Sequence, residues 1–401
     1  MKSNQDLRLK IGNGIYMILL FLFVADPTNT ILGLKNEVFV LLFFYSLFFL
    51  KADWSKIVYF IIPVAVVSIS WVFALIQGNR VDMFELKQIY TSLIPLLLLL
   101  WSDTYDVIKL SQIPVTLMAF IVLTLFFAIV LHPQFEEAIY MFMWSHDNSI
   151  MMSNRYILGI KFFCMYPKSA VAMIPVLGYS VYNSITKNKR NVFNVITAVL
   201  LSMMFLISGT RSSVMFSVLL IATILFLYCR NRRYMRYIIY PAAFMFLVVF
   251  VVVIIALLME TDEFSNMVKY AHMESYGDLF EANPLYMLFG QGPATDFYTD
   301  GFNTFAYKTE WTYIELIRNY GLLSLLIGFV FLTPIFIFSK YIAKDETAIV
   351  FIISYIIYFI IAGTNPLLFS STGMMVVITM FSYSEYIKEV NKPTFVDYCG
   401  S

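Results

Sequence analysis

Charge is scarce in this sequence. Of its 401 residues, 13% are Asp, Glu, Lys or Arg, against roughly 25% in soluble domains. Hydrophobic residues make up 60%, aromatics 18%, and mean hydropathy is +0.77. A water-soluble globule cannot hide that much apolar surface, and the same figures exclude a disordered, collagen-like or coiled-coil chain. Cysteine is scarce too. Cys164, Cys229 and Cys399 are scattered thiols, neither a disulfide framework nor a metal-ligand spacing. His132, His146 and His272 are too dispersed for a metal site, so neither metal nor cofactor is expected. No Gly-x-x-x-x-Gly-Lys-Ser/Thr loop is present, which argues against ATP hydrolysis. A net charge of +1 gives no basis for nucleic-acid binding.

What is abundant is long apolar stretches. A helical span needs about 20 mainly apolar residues, because the hydrocarbon layer is about 30 Å thick and each helical residue rises about 1.5 Å. Such runs occur near 11–25, 31–50, 57–77, 86–101, 108–131, 162–183, 191–208, 212–229, 237–259, 311–339, 346–362 and 370–387. The expected fold is an all-α polytopic integral membrane protein, a single transmembrane domain over 1–401 with about twelve transmembrane helices. The first run follows Lys2, Arg8 and Lys10 and lacks a small-x-small cleavage site before Asp26-Pro27, so it reads as an uncleaved signal anchor.

Placing the N-terminus inside puts most basic residues in short inside loops, including Lys51, Lys56, Lys187, Lys189, Arg190 and Arg230-Asn231-Arg232-Arg233, as insertion requires. Both termini then lie inside. Two outside loops are long, 132–161 and 260–310, and the second is acidic, with Glu274, Asp278, Glu281, Asp296, Asp300 and Glu310 among its charges. Function in a membrane protein concentrates where loops are long or charges enter spans. Both signals point to the outer face.

Four segments there carry chemistry. Ser208-Gly209-Thr210-Arg211-Ser212-Ser213 joins two runs with almost no loop, so Arg211 sits at the outer boundary. Either it snorkels to the interface, or its guanidinium, with nearby hydroxyls and helix N–H groups, binds phosphate. Arg155, Lys161 and Lys168 form either a second positive patch or ordinary loop charges. Gly290-Gln291-Gly292 lets the backbone pass close to a ligand or to another segment, or is a plain turn. The stretch from Lys308 to Gly321 holds Glu310, Tyr313, Glu315 and Arg318 at the head of a span. Read as one helix, Glu310 and Arg318 share a side, while Glu315 and Arg318 can pair at i, i+3. Glu310, beside lipid and Trp311, is a candidate general base.

These three outer motifs, Ser208 to Ser213, Asn283-Pro284-Leu285 leading to Gly290-Gln291-Gly292, and Glu310 to Gly321, resemble those of the O-antigen polymerase and ligase superfamily, the polymerase branch in particular. The resemblance covers roughly 190–330; the first 190 residues match only in hydropathy. Ligases of that superfamily carry His-Asn, nine residues, Gly, two residues, Gly. This chain has Glu310-Trp311 and Ser324 at the corresponding places, which disfavours a ligase. An arginine that the family commonly has in the long loop is also missing, with Lys269 and His272 the nearest basic groups.

The resemblance implies a GT-C-like membrane fold and metal-independent, inverting glycosyl transfer at the periplasmic face of a bacterial inner membrane. Donor and acceptor are undecaprenyl-pyrophosphate-linked glycans reached from the membrane lipid, with a chain-length regulator as protein partner. Arg211 would stabilise the pyrophosphate leaving group with help from Arg155 or Arg318. Glu310 would orient or deprotonate the acceptor hydroxyl. Lys161, Lys168, Lys308, Glu315, Gly290, Gly292 and Tyr313 complete the expected substrate-binding set. Rival readings are an O-antigen ligase-type transferase and a lipid-linked oligosaccharide flippase. A flippase should carry charges along a central cavity and have pseudo-symmetric halves.

Overall fold

The computed structural model describes residues 2–147, 149–157, 160–186, 191–230, 264–365 and 367–391. Helices dominate: α1 (Lys2–Ala25), α2 (Lys35–Phe49), α3 (Val58–Ile76), α4 (Met83–Leu93), α5 (Val107–Leu131), α6 (Glu136–Ser145), α7 (Ile174–Thr186), α8 (Val192–Ile207) and α9 (Arg211–Arg230). After the undescribed stretch come α10 (Phe264–Ala282), α11 (Leu285–Phe289), α12 (Thr312–Tyr320), α13 (Ser324–Ser339), α14 (Glu346–Gly363) and α15 (Ser371–Val390). Several starts are fixed by side-chain caps. Asp82 accepts from Phe84 and Glu85 N–H at the head of α4, Asp345 caps α14, and Ser370 caps α15.

Among the described residues, six helical stretches are long and apolar enough to cross a membrane: Gln5–Ala25, Trp54–Ile76, Met83–Trp101, Val107–Leu131, Thr312–Ser339 and Glu346–Gly363. Large apolar side chains such as Ile69, Ile76, Phe120 and Phe329 stand exposed on them, as lipid-facing residues would. The expected run 31–50 forms α2, whose 15 residues reach only about 22 Å. The run 162–183 divides. Its first part belongs to a hairpin of β1 (Ile150–Ile157) and β2 (Ile160–Pro167), and the helix begins only beyond it. The run 237–259 lies outside the described residues.

Inter-helix contacts sort into two poles. At one, Thr30 Oγ1 donates to His146 O (3.0 Å), Asn79 Nδ2 to Gln291 O (2.7 Å), Asp82 N to Ala294 O (2.9 Å), and Thr312 Oγ1 to Asn365 O (2.8 Å). At the other, Ser382 Oγ donates to Ser102 O (2.9 Å), Asp53 N to Leu100 O (2.8 Å), and Lys56 pairs with Asp103. Each described span thus starts at one pole and ends at the other, which is the alternation a multi-pass chain requires. Between the poles, Gln112 on α5 donates to Asn194 on α8 (2.7 Å) and Ser180 on α7 (3.2 Å), and Thr116 meets Thr197 (2.7 Å). Such bonds lock helices together where lipid gives no hydrophobic drive.

The two long segments between apolar runs, 132–161 and 260–310, are not featureless loops. The first holds α6 and the β1–β2 hairpin. The described part of the second holds α10, α11 and a short hairpin of β3 (Phe297–Thr299) and β4 (Thr304–Ala306).

Candidate functional site

The first pole, to which the acidic segment belongs, contains a half-open cavity of about 100 Å³. Its walls come from α4, the strand-to-helix segment 307–312, α12 and the turn before α15. Both α4 and α12 start at this pole. Glu85 and Ile89 line the cavity from α4, Lys308 and Thr309 from the segment before α12, and Thr312, Glu315, Leu316, Asn319 and Tyr320 from α12, with Phe369 closing the wall. Polar and apolar side chains thus share the lining.

Behind the mouth lies a buried ion pair. Arg318 has 0% side-chain exposure, and protein acceptors take all its donors. Nε (3.0 Å) and Nη2 (2.8 Å) go to Glu315 Oε2, Nη1 to Gln291 Oε1 (2.7 Å) and Thr295 O (2.9 Å), and Nη2 also to Tyr307 O (2.7 Å). The guanidinium also stacks over Phe297, 4.7 Å from its centroid. Glu315 is as fully engaged. Its Oε1 accepts from Tyr276 OH and from Thr309 N (3.0 Å). Burial first, then the Glu315 charge, pushes the Tyr276 phenol far above its ordinary value, so it stays a donor. The expected i, i+3 pair is present. Arg318 keeps no N–H for a phosphate, which corrects its expected place among substrate-binding groups: it ties the acidic segment to α12.

Gly290 and Gly292 serve the same bracing. Both take positive φ (80° and 111°), and a Cβ on Gly292 would fall 2.2 Å from Ala74 Cβ. Gly290 abuts the Asn319–Tyr320 backbone, and Gln291 N donates to Arg318 O (2.6 Å). The close backbone approach foreseen from the glycines is to helices α3 and α12.

Glu310 lies before α12, in the turn, so the single-helix reading that put it on one side with Arg318 does not hold. Its carboxylate pairs with Lys269 of α10 (3.3 Å) and is 45% exposed. It follows Lys308 and Thr309 in sequence, yet does not line the cavity. Lys308 does, and its Nζ meets Glu85 Oε2 at 3.1 Å. Tyr313 turns to α14, its hydroxyl donating to Phe359 O (2.5 Å). Lys168 Nζ donates to Asp147 O at the base of the β1–β2 hairpin. Arg155 pairs by backbone with Phe162, and Lys161 with Tyr156. The side chains of Arg155, Lys161 and Arg211 lie outside the described residues. Arg211 opens α9 after Gly209, whose φ is +60°. α7 leaves the cavity pole, where Ser169 Oγ donates to Val24 O (2.5 Å), and reaches the other near Glu346. α8 therefore returns to the cavity pole, and the 208–211 turn belongs there. Among the described residues, no cluster of His, Cys, Asp and Glu is suited to hold a metal ion.

Glu85 and Asn319 are cavity groups that were not singled out from the sequence. Asp82-x-x-Glu85 at a helix start reads as a capping box, in which the acid would reach back to the cap's own N–H. That N–H is already given to Ala294 O, and Glu85 turns to the cavity instead. Asn319 Oδ1 is buried without a protein partner. No protein-family model and no curated protein matches the chain.

Proposed function

We propose that this protein polymerises undecaprenyl-pyrophosphate-linked oligosaccharide repeat units, of O-antigen or a related surface polysaccharide, at the periplasmic face of a bacterial inner membrane. The observation that carries the reading is the cavity: it lies at one pole of a bundle of apolar helices, and its wall combines carboxylate, amide and aromatic groups. Such a lining suits a sugar attached to a lipid. Aromatic Tyr320 and Phe369 offer ring faces, and Glu85 and Asn319 offer acceptors for sugar hydroxyls. The resemblance of the three outer motifs supports the same reaction.

The reaction is an inverting displacement. An acceptor hydroxyl attacks the anomeric carbon, and the bond to the pyrophosphate oxygen breaks. The leaving group departs as an anion, so it needs charge stabilisation rather than an acid. Arg211, at the start of α9 on the cavity pole, supplies that charge in this proposal, with helix N–H groups behind it. Glu310, paired with Lys269 outside the cavity lining, orients the sugar on its approach to the cavity in this proposal. Membrane lipid delivers both substrates, and a chain-length regulator is the expected protein partner.

The test is a glycan ladder from cells lacking the gene. Single repeat units on the lipid core, with the ladder gone, support polymerisation. Loss of all repeats with long lipid-linked polymer accumulating indicates a ligase. Single units trapped on the inner leaflet indicate a flippase.

A further inference from the structure

We propose that Glu85 is the carboxylate that takes the proton from the acceptor hydroxyl during this glycosyl transfer. The inference rests on the polymerase reading and names a catalytic residue within it. Glu315, Glu310 and Glu85 differ in what they can offer the cavity. Glu315 faces it, but both oxygens are committed, to Tyr276, Thr309, Arg318 and, at 3.4 Å, Asn319. Glu310 does not line it and is held at Lys269. Glu85 lines the mouth, is 19% exposed, and uses one oxygen on Lys308. Its other oxygen has no hydrogen bond among the described residues. It is therefore the acid with both a lone pair to give and a path to a ligand.

The surroundings fit the role. Glu85 stands on a helix rather than a loop, fixed one turn in by the Asp82 cap and the Asp82–Ala294 bond, so the carboxylate is held in place. Asn319 Oδ1, without a protein partner and on the same cavity wall, can accept a second hydroxyl of the same sugar and set which one faces Glu85. The acceptor oxygen forms a bond to the anomeric carbon, its proton passes to Glu85 Oε1, and the electron pair of the broken glycosyl–phosphate bond leaves with undecaprenyl pyrophosphate.

Lys308, whose Nζ lies 3.1 Å from Glu85 Oε2, is the ion-pair partner of Glu85 among the described residues.

The experiment complements a deletion strain with tagged wild type, Glu85→Gln, Glu310→Gln or Lys308→Met, and follows the surface ladder at matched protein level. Membranes are also assayed against the lipid-linked repeat unit that the deletion strain accumulates. Glu85→Gln should lower the rate about 100-fold or more and collapse the ladder to single units. Glu85→Gln should keep the wild-type melting temperature in detergent, which separates lost chemistry from lost fold, and Lys308→Met should lower the rate less than Glu85→Gln does. A full ladder with Glu85→Gln, while the deletion lacks one, overturns the assignment and leaves the polymerase reading standing; so does a larger loss of rate with Lys308→Met than with Glu85→Gln. A deletion strain with a normal ladder sinks the polymerase reading itself.

Discussion

Arg318 and Glu315 stand one turn apart on α12 and meet through two hydrogen bonds, from Nε at 3.0 Å and Nη2 at 2.8 Å to one carboxylate oxygen. Truncating either partner strands the other as a buried charge. Arg318→Met should therefore cost about 3–5 kcal/mol, read as a lower melting temperature in detergent. Lys at 318 should not rescue, since it lacks the forked donors that reach Glu315, Gln291 and Tyr307 together. The double change Arg318→Met with Glu315→Gln should recover part of the loss. Equal stability for single and double variants would refute the pairing as a stabilising unit.

Gly292→Ala should destabilise by about 3 kcal/mol. The residue sits at φ +111°, and its Cβ would collide with Ala74. Pairing it with Ala74→Gly removes the collision but not the backbone strain, so thermal stability should return only in part. Full recovery would show that sterics alone matter there.

His272 is fully buried, with Nδ1 bonded to Thr299 and Nε2 without a partner. Burial lowers its pKa, against a smaller upward pull from Glu310 and Glu315. The unfolded chain then binds the proton more readily than the folded one. Stability is complete above about pH 6.5 and falls as pH drops below that value, until the folded histidine also titrates. Proteolysis at the β3–β4 hairpin should accelerate between pH 7 and 5, and His272→Gln should flatten that response. An unchanged slope in the variant would assign the acid sensitivity to another group.

Arg211→Ala should abolish long polymer at normal protein level if the leaving pyrophosphate depends on that charge, and Arg211→Lys should restore it only poorly, since a point charge lacks the forked geometry. A ladder of full length in the alanine variant removes Arg211 from the reaction.

The membrane class was legible because hydropathy reports directly on lipid. The span boundaries were less so. The stretch Ile160–Pro167 is apolar enough to pass as the head of a span, yet it pairs with β1, and composition alone does not separate a buried strand from a buried helix. At the site, the Glu315–Arg318 pair followed from spacing. The partners that decide its role, Gln291, Thr295 and Tyr276, are 20 to 40 positions away and no local pattern announces them. Glu85 was hidden for another reason: its local context describes a capping acid, and only the distant Ala294 carbonyl releases it for other use.

The cavity at this pole is small, about 100 Å³, and half-open. A polymerase gripping its substrate there would sense the tip of a glycan and nothing of what trails behind it. A chain of two repeats and a chain of fifty would look alike. Such an enzyme has no ruler of its own, and the length distribution of its product would be set by how long the growing strand stays associated, a quantity governed by membrane residence and by whatever protein holds the other end.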